Sequence, residues 1–67
     1  MASVAVFTSW DREGADALAG LLRELGIAAA AVPEEDEGAP GAMVWRVRVP
    51  EAQARRVRAL IEDVMPP

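Results

Sequence analysis

From Met43 to Val49 the chain alternates without a break (MVWRVRV). Successive side chains of an extended strand point to opposite faces, so Met43, Trp45, Val47 and Val49 share one side. Val44, Arg46 and Arg48 share the other. A strand of this kind has one face against a core and one toward water. Its sheet must therefore be covered on one side only, and the helices of the chain have to lie together on that side.

The neighbouring segments fix the order. Ser3 to Trp10 (SVAVFTSW) is β-branched and aromatic and is followed at once by charge, which predicts a strand. From Asp11 the period becomes helical. Ala15, Leu18, Leu21, Leu22 and Leu25 form one stripe, with Arg12, Asp16, Arg23 and Glu24 away from it. Ser9 or Asp11 supplies the N-cap, Gly14 lies near the stripe where it allows close packing, and Gly26 ends the helix so that Ile27 folds back onto the last turn. Ile27 to Val32 (IAAAAV) holds four alanines that favour helix. It is short and bracketed by Gly26 and Pro33, and this predicts a strand instead. Pro33 to Gly41 (PEEDEGAPG) reads as a loop. Pro50 opens a second helix in its first turn. There Ala54, Val57, Leu60, Ile61 and Val64 form the buried stripe, and Glu51, Arg55, Arg58 and Glu62 the opposite side. Pro66 and Pro67 stop the chain.

The order is βαββα, in a single domain spanning residues 1–67. A strand-helix-strand crossover is right-handed in nearly all cases, and the loop at 33–41 makes the last two strands an antiparallel hairpin. With the alternating strand in the middle, the sheet order is 1-3-2. The fold class is α+β, a ferredoxin-like unit that lacks its last strand, a half-open sandwich with two helices on one face. On the open face the middle strand shows Val44, Arg46 and Arg48. The first strand adds either Val4, Val6 and Thr8 or Ala5 and Phe7, and its outer edge is left open.

Composition excludes more than it proves. The chain has no Cys and no His, nor any Lys or Tyr, so thiolate chemistry, imidazole bases, Schiff bases and phenolic acids are all missing. A net charge of −4 argues against nucleic acid as a partner. No uncharged apolar run approaches the ~20 residues that span a bilayer, and Met1 to Trp10 lacks the basic start of a signal peptide. A cytoplasmic protein without membrane contact is expected. No enzyme, metal or cofactor is expected either.

The residues also carry a family resemblance. V-A-V-F leads into a helix ending L-L-R-E-L-G-I, then come a short strand, a variable loop and V-R-V-P-E before a second helix. This order resembles the small bacterial family of prokaryotic signal-transducing proteins, over nearly the whole chain. The resemblance implies a βαββα fold remotely like the nitrogen-regulatory PII proteins, and a signalling or regulatory role. The family has no established catalytic or binding residues to carry over. In PII a long loop after the second strand contacts targets; the corresponding segment here is Pro33 to Gly41, which is much shorter. The resemblance makes a non-enzymatic interaction or regulatory module the first expectation. A small-molecule or nucleotide-binding sensor of the PII or ACT kind is the alternative.

Two candidate surfaces follow. Val44, Arg46 and Arg48 form a candidate interaction face, which is otherwise a pair of arginines lying across the sheet and pairing with nearby acids. Glu34, Glu35, Asp36 and Glu37 form a candidate partner loop; four consecutive acids lack the spacing of a calcium loop and read as a solvated connection. Arg55, Arg56 and Arg58 are expected to be neutralised by Glu51, Glu62 and Asp63 along their helix. Both helix N-termini are expected to be closed to phosphate, by Asp11 and Glu13 in one and by Pro50 and Glu51 in the other. A protein partner, unidentified, is expected together with self-association. A 67-residue core without disulfide or metal sits near the limit of independent stability. With an open sheet face and an unprotected first strand, the expected assembly is a homodimer.

Overall fold

The computed structural model describes residues 2–64, without the side chain of Val64. The expected burial of Val64 and the stops at Pro66 and Pro67 lie outside the described residues. The elements are β1 (Ser3–Ser9), α1 (Arg12–Glu24), β2 (Ala30–Glu35), β3 (Met43–Pro50) and α2 (Glu51–Val64). β3 lies between β1 and β2 and is antiparallel to both, so the sheet order is 1-3-2. The fold is the expected α+β arrangement, an open three-stranded antiparallel sheet with two helices. Val47 and Val49 of β3 join Ala15, Ala19 and Leu22 of α1 and Ala54 and Val57 of α2 in one core cluster. Phe7 and Trp45 pack against it as core residues.

α1 starts and stops on local chemistry. The Asp11 carboxylate accepts from the backbone N–H groups of Glu13 (3.1 Å) and Gly14 (3.2 Å), which satisfies two of the helix's free donors. At the other end Gly26 takes a φ of +85°, a left-handed conformation that suits glycine. Gly26 N–H then donates to Arg23 O (3.0 Å) and Ile27 N–H to Leu22 O (2.9 Å). This double bond pattern brings Ile27 back against Leu22 in the core.

The buried stripe of α1 differs from expectation. It runs through Ala15, Ala19 and Leu22, with Leu18 at its margin, whereas Leu21 and Leu25 are 47% and 51% exposed. The two alanines let the helix sit close to the sheet, and Leu21 lies about 100° around the helix from Leu22. Gly14 is also off the core. A Cβ there would meet only Ser9 Oγ and Asp11 Oδ2, at 3.5 and 3.6 Å, so no close packing depends on it.

β2 is shifted along the chain. It begins at Ala30, not Ile27, and continues through Pro33 to Glu35. Proline is compatible with an edge strand when its missing N–H faces outward, so Pro33 does not end the strand. The connection to β3 is correspondingly shorter and closed by backbone bonds: Asp36 N–H donates to Ala42 O and Ala42 N–H to Ala39 O, both at 2.9 Å. At the far end, Pro50 belongs to β3 opposite Ser3, and α2 begins one residue later.

β1 does not alternate strictly. Its pairing with β3 shifts between Ala5 and Phe7, and Val6 is the extra residue of a bulge. As a result Val4, Val6 and Phe7 all pack against the core, while Ala5 and Thr8 face the same side as Arg48 and Arg46.

Candidate functional site on the open sheet face

The pairing of β2 with β3 sets Ala30 opposite Arg48, Val32 opposite Arg46 and Glu34 opposite Val44. Glu34 therefore stands on the open face in line with the arginines. Its Oε1 lies 3.2 Å from Arg46 Nε, and its Oε2 accepts from Arg48 Nη1 at 3.1 Å. One carboxylate is shared by two guanidiniums.

β1 holds the other side of both arginines. Arg46 Nη1 donates to Thr8 Oγ1 (3.0 Å). Arg48 Nε donates to Ser3 Oγ (3.2 Å), and its Nη2 donates to Ser3 O (3.0 Å). Each guanidinium thus bridges all three strands in a fixed orientation. The cluster carries two positive charges and one negative, and its side chains stay between 23% and 34% exposed. A guanidinium offers five N–H donors, and the three bonds of Arg48 leave two of them unengaged among the described residues. Beside Arg48 the face dips into a wide-open depression of about 280 Å³, between the starts of β1 and β2. Ser3, Ala30, Val32 and Pro50 line it, and their small side chains keep it open.

The expected site residues are therefore redistributed. Arg46 and Arg48 share the face as anticipated, and they are paired with an acid. Val44 lies in their row but is only 2% exposed and outside the core cluster, so it offers no surface to a partner. The expected acidic loop is split. Glu34 and Glu35 are β2 residues opposite Val44 and Met43, and only Asp36 and Glu37 belong to the turn. There Asp36 accepts the Ala39 N–H on its backbone oxygen (3.2 Å) and the Gly38 N–H on its carboxylate (3.3 Å). Among the described residues no group of acids converges as a metal site.

The sequence reading missed Glu34 as the partner of the arginines, and Ser3 and Thr8 as their acceptors. The period is present in Ala30, Val32 and Glu34, but Pro33 reads as the strand's end from the sequence. The α2 arginines also differ from expectation. Among the described residues, ion pairs join Arg12 to Asp16 and both open-face arginines to Glu34; none joins Arg55, Arg56 or Arg58 to an acid. Exposed pairs along a helix contribute only a few tenths of a kcal/mol, so α2 loses little by leaving them unmade. The α1 N-terminus is filled by Asp11, and Glu51 N–H at the start of α2 donates to Ala2 O (3.1 Å). Arg12 instead lies over the Trp45 ring, 5.2 Å from its centroid.

Among the described residues no helix is long and apolar enough to cross a membrane. Comparison of the chain with family models, curated proteins and solved structures finds no match.

Proposed function

We propose that the chain is a non-enzymatic interaction or regulatory module of the cytoplasm, which recognises its partner through Arg46 and Arg48. The observation that supports this reading is the sharing of Glu34 by both guanidiniums on a face no helix covers. The arginines are oriented in advance, keep free donors, and hold a local excess of one positive charge. Guanidinium groups so arranged suit a carboxylate-bearing partner, because the planar fork matches the carboxylate geometry. A regulatory role is what the resemblance to the signal-transducing family implies. Chemistry is a poorer fit, since the chain has no His, Cys, Lys or Tyr to act as base or nucleophile.

A second reading, a small-molecule sensor, rests on the open depression at Arg48. Its 280 Å³ lies just below the lower bound of about 300 Å³ for small-molecule sites.

Affinity capture from native lysate, with mass spectrometry of both proteins and metabolites, tests the two. The wild type and Arg55→Ala should retain the same protein, and the double variant Arg46→Ala/Arg48→Ala should lose it. Capture that survives the double variant contradicts the first reading. A metabolite that co-purifies with the wild type and is lost with Arg48→Ala favours the second.

A further inference from the structure

We infer that β1 pairs with β1 of a second copy, antiparallel about a two-fold axis, and that the assembly closes at two chains. This does not rest on the open-face reading; it follows from the contrast between the two edges of the sheet.

An edge strand presents a row of unpaired N–H and C=O groups that another strand can take up. Such edges are usually blunted by charge, proline or a short length. The β2 edge is blunted, because Pro33, Glu34 and Glu35 supply a missing donor and two charges within its length. β1 has neither charge nor proline over Ser3–Ser9, and its one blunting feature is the bulge at Val6. A copy of β1 meets no like charge when it approaches.

The β1 bulge shapes the pairing. Val6 separates two runs, Ser3–Ala5 and Phe7–Ser9. A two-fold axis beside Val6 sets each run against the other run of the second copy, so neither bulge interrupts a ladder. The product is one continuous six-stranded sheet, ended on both sides by the blunted β2 edges. With one pairable edge per chain, growth stops at the dimer.

α2 supports the same partner. It is packed on β1 and β3, so an edge dimer brings the two α2 helices alongside each other above the junction. α2 exposes Glu51, Arg55, Arg58 and Glu62, and none of these is ion-paired among the described residues. Both signs are free to meet their opposites on the second copy. Stacking of the open faces is the poorer route, because it would set Arg46 and Arg48 against the same arginines.

Light scattering after size exclusion and amide hydrogen exchange, both across about 1 µM to 1 mM, test the proposal over the range where modest complexes form. The mass should double and then stay constant. The outward-facing amides of β1 should exchange at least about tenfold more slowly at the high concentration, while β2 amides are unchanged. Pro33→Val, which restores the donor to the second edge, should drive the mass beyond the dimer. A monomer at 1 mM overturns the proposal. So does a dimer whose protection falls on the open face or the helices and not on β1. A wild type that grows past two chains, or a Pro33→Val chain that stays dimeric, overturns the closure.

Discussion

The two faces of β3 do different work with side chains one position apart. On the helix side Val47 and Val49 are fully enclosed, and their contribution is removal of apolar surface from water. On the open side Arg46 and Arg48 are partly exposed, and an acid and two hydroxyl-bearing residues of the neighbouring strands hold them. Burial rewards volume and shape whatever the orientation, whereas the polar layer rewards orientation and gains little net free energy. This small domain concentrates its stability in one face and leaves oriented, partly solvated polar groups on the other.

The largest effect should come from breaking the covered face. Val47→Ala removes two methyl groups from a fully buried site at the centre of the sheet. We expect a loss of about 2–4 kcal/mol, which in a core of this size leaves a large fraction of the chain unfolded. Urea titration followed by circular dichroism measures it.

A smaller effect should follow on the open face. Glu34→Ala leaves Arg46 and Arg48 side by side without their shared acid. Each pair is partly solvated, so the loss should be about 1 kcal/mol, seen in the same titration. The variant should also become more salt-dependent, because ions then screen the repulsion of the two guanidiniums. A loss as large as that of Val47→Ala would mean that the polar layer holds the fold.

The difference between the faces also explains what could be read in the residues. The β3 period was legible because apolar and charged side chains alternate across it, and the sheet order followed from topology. β1 was harder: Val4, Ala5, Val6 and Phe7 are all apolar, so nothing in their pattern marks the bulge at Val6. β2 was misplaced because Pro33, tolerated on an edge, looks like a terminator and cuts the Ala30, Val32, Glu34 period short. That error hid Glu34, the residue that completes the open-face cluster. In α1 the size of Leu21 and Leu25 drew attention from Ala15 and Ala19, whose smallness lets helix and sheet approach. Side chains that act by bulk or alternation show in the sequence; those that act by being small, or across strands, need the fold.

Equilibrium unfolding of the double variant Arg46→Ala/Arg48→Ala, beside that of Val47→Ala, tests the separation of the two faces most directly. Native circular dichroism and a stability within about 1–2 kcal/mol of wild type are expected for the double variant, since it removes partly exposed pairs and leaves the core intact. Val47→Ala should fall well below it. A double variant that unfolds as readily as Val47→Ala would show that the open face is part of the scaffold, and would contradict the account.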